Sequence, residues 1–265
     1  MLVHTLPIPL SYTIVAEPLT PTTFASFGAV LTNPAPEVRP PASASALPSG
    51  YGAVSANQGT AIQYRSLAPP LKNVYDQAPS QKPASPRTTM FVCGARQLVS
   101  DEGDESGGEG GGLFEVKILE RHPFTTQTFV PLGADASARY LVIVAPSLPP
   151  GNADNGLPVP TGDGLPGRGL PDPNGICAFV ATGAQAVTYG AGTWHAPMAA
   201  LGPSGSAIDF VVIQFANDEA VEDCQEMALE ALAGDKDTER ADVGKGDTPR
   251  IMVRVPSHKV RVSKL

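Results

Sequence analysis

Cysteine is scarce in this chain. Its 265 residues include Cys93, Cys177 and Cys224, an odd number at wide spacings. That excludes a disulfide framework and a C-x-x-C metal site, and leaves inert or buried thiols in a reducing compartment. Charge is scarce too: 17% of residues carry it, and acids outnumber bases to give a net charge of −8. A balance of that sign argues against nucleic acid or an anionic membrane surface as the partner. No apolar run approaches the roughly 20 residues of a membrane span. The start, MLVHTLPIPL, lacks the basic and long apolar regions of a secretory signal. No internal repeat of about 20–50 residues is visible.

Turn formers, by contrast, are abundant. The 28 prolines and 27 glycines favour many short strands over long helices. Thr20 as N-cap, Pro21 at the first helical position and Gly28 as a stop predict a short helix over residues 21–27. Strands are predicted at 90–92, 113–119, 126–130, 140–144, 178–180, 186–189 and 208–215, with a further start at Val30 and Leu31. Residues 101–112, acidic and Gly-rich, and 146–175, rich in Pro, Gly, Asn and Asp, read as inserted loops. The one longer helix is expected over 218–232, where Val221, Cys224, Met227, Leu229 and Leu232 fall broadly on one side and Gly234 follows. The expected fold is all-β, a sandwich or barrel with a peripheral C-terminal helix. Residues 1–234 form a single domain, and 235–265 a linker and a β-prone basic tail.

The residues that carry chemistry gather in two stretches. The first is Glu120-Arg-His-Pro-Phe-Thr-Thr-Gln-Thr-Phe-Val-Pro-Leu132. A charged cluster running into a β-rich apolar segment is costly to bury without partners. Residues two apart on a strand face one side, so Glu120 and His122 point together and Arg121 points away. Gln127 can return on the next strand after a turn at 123–125. The second stretch, Gly183 to His195, ends in a glycine-rich turn and a strand carrying Trp194 and His195. Imidazole, carboxylate and amide oxygen make Glu120, His122, Gln127 and His195 a candidate ligand set for a divalent metal. An isolated histidine is more often a core residue; the pairing of the two stretches favours function for His122 and His195. Glu120 could instead form a structural ion pair.

These stretches resemble the two motifs of the cupin superfamily. H-x-H-x4-E/Q corresponds to Glu120, His122 and Gln127. The later part of G-x5-P-x-G-x2-H corresponds to Gly190-Ala-Gly192-Thr-Trp-His195. Glu120 replaces the first histidine, Gly190 replaces the proline, and one extra residue follows Gly183. A more specific resemblance is to the ureidoglycolate lyase family, in its fungal form. It is carried by the Glu120–Leu132 and Gly192–Met198 stretches, by G-x-Q-x-V-x-Y at 183–189, by PLTPTTFASFGAVL at 18–31, by SANQGTA at 55–61 and by IDFVVIQF at 208–215. The resemblance implies a cupin-like barrel, a homodimer, and a carbon–nitrogen (amidine-type) lyase that cleaves ureidoglycolate to glyoxylate and urea.

Such a reaction needs a base for the carbinol hydroxyl, an acid for the departing nitrogen and a holder for the carboxylate. His195, His122 and Glu120 are the candidate catalytic residues. A bound divalent ion would lower the hydroxyl pKa. Arg121, Arg96 and Arg65 are candidates for the carboxylate, with alternation counting against Arg121. Asn57, Gln58 and Thr60 suit the urea portion, or a simple capped turn. Trp194 reads as pocket wall or core, Tyr189 as wall or proton relay, and Asp209 as a site residue, a strand-end turn or an ion pair. An ammonia-releasing ureidoglycolate hydrolase and a non-catalytic cupin-like binding protein are the alternatives. The terminal Ser263-Lys264-Leu265 is a peroxisomal address read by an import receptor, with a cytoplasmic location as the alternative.

Overall fold

The computed structural model describes residues 2–41, 43–100, 111–231 and 248–257. The strands of the N-terminal half are β1 (Leu2–Ile8), β2 (Tyr12–Val15), β3 (Glu17–Pro18), β4 (Gly28–Leu31), β5 (Ala53–Ala56), β6 (Ala61–Tyr64), β7 (Ser85–Gly94), β8 (Gly112–Val116), β9 (Ile118–Arg121) and β10 (Gln127–Pro131). The remainder are β11 (Arg139–Ala145), β12 (Cys177–Thr182), β13 (Ala186–Tyr189), β14 (Trp194–His195), β15 (Ala199–Leu201), β16 (Ala207–Ala216), β17 (Gln225–Ala231) and β18 (Ile251–Val255). The expected all-β, cupin-like barrel is what the chain forms.

One sheet of eight strands runs β1-β17-β9-β14-β11-β12-β3, with β15 also on β11; a second of five runs β4-β13-β10-β16-β7. A third, β2-β18-β8, lies outside them, and β5 and β6 pair only with each other. Between the two large sheets sits one core, including Phe129, Tyr140, Val142, Val144, Phe210 and Val212. Behind the eight-stranded sheet sits another, including Leu141, Ile143, Trp194, Met227 and Ile251. Strand β11 feeds both cores from alternate residues, which is why its sequence, RYLVIVA, is an unbroken apolar run after the first residue.

Three expectations need correction. Residues 218–232 are not a helix: α1 spans only Ala220–Asp223, and Gln225–Ala231 is the strand β17. That strand is held between β1 and β9, and Gln225, Met227 and Leu229 are buried in alternation. Tertiary pairing overrides the helix propensity of an Ala-, Glu- and Leu-rich segment. Past residue 248 the chain is not only tail, because β18 returns between β2 and β8. At 21–27 the chain makes turns rather than a regular helix. Thr20 still caps them, accepting the Thr23 amide at 3.1 Å, and they close when the Gly28 amide donates to the Phe24 carbonyl. Most of the 101–112 loop, most of the 235–248 linker and the terminal 263–265 lie outside the described residues.

The 146–175 insertion is ordered, and its anchor is Arg121. That side chain is fully buried and points away from Glu120 and His122. Its Nε donates to Gln225 Oε1 at 2.8 Å, and its two Nη groups donate to the carbonyls of Gly167, Arg168 and Gly169 at 3.0–3.2 Å. The guanidinium stacks 4.4 Å from the Trp194 ring, and Trp194 Nε1 donates to the same Gly169 carbonyl. Burial lowers the Arg121 pKa to about 10, still well above neutrality. Within the insertion, Arg168 pairs at 3.0 Å with the buried Asp154.

Candidate active site

Strand pairing brings the two chemical stretches together. Glu120 on β9 lies opposite His195 on β14 and opposite Glu226 on β17. The turn between the stretches is tied as well: Gly192, at φ +78°, donates its amide to the His122 carbonyl at 2.9 Å. The His122 and His195 rings stand 5.6 Å apart, and Tyr189 lies flat on His195 from the other side. Ligating atoms of Glu120, His122 and His195 all fall within 4.8 Å of one another.

The imidazoles have assignable protonation. His122 Nδ1 is 2.6 Å from the Asp223 carbonyl, which can only accept, so Nδ1 carries the proton and Nε2 a lone pair. His195 Nδ1 is 3.2 Å from the Ala196 carbonyl, which fixes the same tautomer. Its separation from Glu120 Oε1, 3.7 Å, is too long for a hydrogen bond. Burial pushes the His195 pKa down to about 3, with nearby His122 adding, and burial also lowers His122. Both rings are therefore neutral at physiological pH. Burial raises the Glu120 carboxyl to about 7, with Glu226 alongside adding.

Among the described residues, the buried side-chain polar atoms without a partner are His122 Nε2, His195 Nε2, Gln127 Oε1, Tyr189 Oη and Ser147 Oγ. All but the last belong to this one site. Buried polar groups are nearly always satisfied within a fold, so four orphans in one place point to a ligand. Gln127 is held by its other end, Nε2 donating to Gln214 Oε1 at 2.7 Å.

A cavity of about 430 Å³ opens onto this cluster. Glu120, His122, Gln127, Phe129, Gln214 and Cys224 line it from the barrel, and Arg87, Thr89, Phe91 and Cys93 from β7. His195 stands behind Glu120 and His122 rather than in the cavity wall. Burial raises the Cys224 thiol to about 12, so it stays protonated.

The geometry sorts the expected site residues. Glu120, His122, Gln127, His195 and Tyr189 converge. Trp194 does not: strand alternation turns it from His195 into the outer core, beneath Arg121. Arg121 is spent on the insertion. Arg96 is exposed, with its guanidinium over the Phe114 ring, and Arg65 is exposed on the β5–β6 hairpin beside Gln63. Asn57, Gln58 and Thr60 form the turn of that hairpin, where Asn57 and Gln58 both take positive φ. None of these lines the cavity. Asp209 faces out from β16 and is exposed. Sequence reasoning missed Arg87, whose guanidinium is held by Asp218 at the cavity mouth. Its signal was the alternation of Arg87, Thr89, Phe91 and Cys93 on one strand face.

The donor set suits a divalent cation: two buried imidazoles with unpartnered Nε2 atoms and the half-buried Glu120 carboxylate lie together, and the unpartnered Gln127 Oε1 faces the same cavity.

Comparison with known proteins agrees with this geometry. A model of the family described as ureidoglycolate lyase matches residues 11–233. The ureidoglycolate lyase of Schizosaccharomyces pombe is 34% identical over 221 residues, which cover 82% of this chain and 92% of that protein. That of Saccharomyces cerevisiae is 32% identical over 223 residues, 81% of this chain and 93% of the other. A bacterial ureidoglycolate lyase, from Burkholderia mallei, is 30% identical over 206 residues, 78% of this chain and 84% of the other. The match spans the barrel and both halves of the site: the chain belongs to the ureidoglycolate lyase family.

Proposed function

We propose that the protein cleaves ureidoglycolate to glyoxylate and urea, a carbon–nitrogen lyase reaction of purine catabolism. The observation that carries the reading is the convergence of Glu120, neutral His122 and Gln127 on one cavity, with neutral, buried His195 and the Tyr189 ring stacked on it standing behind them. The reaction removes the proton of the carbinol hydroxyl as its C=O forms, and returns a proton to the urea nitrogen as the C–N bond breaks. A neutral imidazole offers a lone pair for the first task. Glu120, raised to about 7, is poised to hold a proton for the second near neutral pH. The unpartnered Gln127 Oε1 accepts an N–H of the ureido group. Arg87, the one arginine or lysine among the described lining residues, supports binding of the substrate carboxylate.

Glu120, His122 and His195, whose ligating atoms lie within 4.8 Å of one another, would hold a divalent ion. Held there, such an ion would supply Lewis-acid polarisation of a bound hydroxy acid. The test is urea release from ureidoglycolate by purified protein, with and without chelator, alongside metal analysis. Ammonia in place of urea would establish the hydrolase instead, and no turnover at all a binding protein.

The family resemblance supports a homodimer as the working form. The Ser263-Lys264-Leu265 tail supports peroxisomal import through its receptor. A fluorescent fusion with the tail exposed should become punctate, and deletion of the three residues should leave it diffuse. A diffuse signal with the tail intact would reject the import reading.

A further inference from the structure

The two large sheets contribute differently to the cavity. Glu120 and His195 stand on β9 and β14 of the eight-stranded sheet, and His122 follows β9 directly. The five-stranded sheet contributes a row of side chains. Gln127 lies opposite Tyr189 on β13, and Gln214 lies opposite Arg87 on β7. Thr128 opposite Ile213 brings Gln127 beside Gln214, and Gln127 Nε2 donates to Gln214 Oε1 at 2.7 Å. Further along the inward face of β16 stand Val212 and Phe210, both core. Two amides at the end of an apolar face are costly to bury unless their polar atoms are used. Here one bond joins them and two groups are left over. Gln127 Oε1 is buried without a partner, and Gln214 Nε2 has no protein partner among the described residues. Both residues line the cavity. Bonding in the reverse sense, from Gln214 Nε2 to Gln127 Oε1, would still leave one donor and one acceptor.

We propose that Gln214 reads the substrate together with Gln127: its Nε2 donates to the ureido carbonyl while Gln127 Oε1 accepts from the terminal NH2. This role rests on the ureidoglycolate reading of the site and adds the residue that selects the ureido group. The match is one of donors and acceptors. A carboxylate offers only acceptors and an ammonium only donors, so either would leave one amide of the pair unsatisfied. A ureido group offers a carbonyl and an N–H side by side, and satisfies both. Arg87, next in the row, is placed for the charged end of the same molecule. Gripping the carbonyl and the terminal NH2 leaves the inner nitrogen, where the C–N bond breaks, free to receive its proton. Recognition thus comes from one sheet and proton transfer from the other.

The test is calorimetric titration of the full-length protein with two unreactive probes, beside an assay of urea release. Ureidoacetate lacks the carbinol hydroxyl and so cannot be cleaved. Isocaproate has the same shape and charge with hydrocarbon in place of the ureido group. The unsubstituted protein should bind ureidoacetate on the order of tenfold to a hundredfold more tightly than isocaproate. Gln214→Met should bring the two affinities to within a few-fold of each other. Gln214→Glu still accepts from Gln127 Nε2 but has no donor for the carbonyl, so it should lose the preference as well. Its added charge acts on both probes alike and drops out of the ratio. If one variant fails to fold, the ratio in the other decides. A preference kept in Gln214→Glu would show that Gln214 only holds Gln127, and would overturn its reading of the substrate. So would equal binding of the two probes by an unsubstituted protein that releases urea, with the lyase reading left standing. Neither urea release nor any preference in the unsubstituted protein would overturn the ureidoglycolate reading itself.

Discussion

The Tyr189 ring lies 4.0 Å from the His195 imidazole with only 5° between their planes. Strand β13 supplies the tyrosine and β14 the histidine, so the stack joins the two large sheets through the site. The ring fixes the imidazole plane, and with it the direction of the Nε2 lone pair. Tyr189→Phe, which keeps the ring, should retain kcat within about threefold. Tyr189→Leu should lose on the order of tenfold to a hundredfold and about 1–3 kcal/mol of stability. Equal kcat in the two variants would show that the stack does not orient His195.

His195→Ala and Glu120→Ala should each slow urea release by roughly 10²–10⁴-fold. Their circular dichroism should remain that of the unsubstituted protein. Retained activity in both would remove the site from consideration.

Stability should depend on pH in two opposing ways. Folding depresses His195 from 6.5 to about 3, so the folded state refuses a proton that the unfolded chain accepts. Its contribution is complete above about pH 6.5 and shrinks as pH falls from there toward 3. Folding raises Glu120 from 4.5 to about 7, so the folded state keeps a proton that the unfolded chain releases. Stability from that group is complete below about 4.5 and is lost as pH rises toward 7. Melting curves against pH separate the two effects. His195→Gln should flatten the acid side and Glu120→Gln the stretch between about 4.5 and 7. Unchanged profiles would mean that neither group is shifted in the fold.

Arg121→Met should cost roughly 2–4 kcal/mol in denaturant unfolding, because it leaves Gln225 and three buried or half-buried carbonyls short of donors. Activity per folded molecule should stay within a few-fold. A selective loss of kcat at unchanged stability would place Arg121 in the chemistry after all.

Arg87 and Arg96 should behave differently toward the substrate carboxylate. Removing a charge-assisted contact costs about 1.5–3 kcal/mol, so Arg87→Met should raise KM on the order of tenfold to a hundredfold. Arg96→Met should leave KM unchanged. The reverse ranking would move the carboxylate to the far side of β7.

Much of the barrel was readable because its strands carry strong period-two or continuous apolar signals, as in 140–144 and 208–215. The pairing of Glu120 with His195 was readable because two short glycine-punctuated stretches concentrate rare polar residues. Three things were not. The segment at 225–231 spells a good helix in isolation, and only its neighbours β1 and β9 make it a strand. Trp194 sits next to His195 in sequence, yet alternation on a two-residue strand sends it to the other core. Arg87 lies far from the motifs, and its place at the cavity follows from the register of β7 on β16 rather than from local sequence.

The anchoring of residues 146–175 has a consequence for how that segment can change. Arg121 and Trp194 grip it through main-chain carbonyls at 167–169, groups that every amino acid possesses. Exposed side chains along the segment are therefore free to drift between descendants without loosening the grip. Buried Asp154 and Leu157 are not. Nor is Gly169, since a β-carbon there would come within 1.6 Å of the Leu148 carbonyl oxygen, nor Gly175, where it would come within 2.6 Å of the Pro146 ring. Divergence should be wide at the exposed positions of this stretch and narrow at these buried or crowded ones.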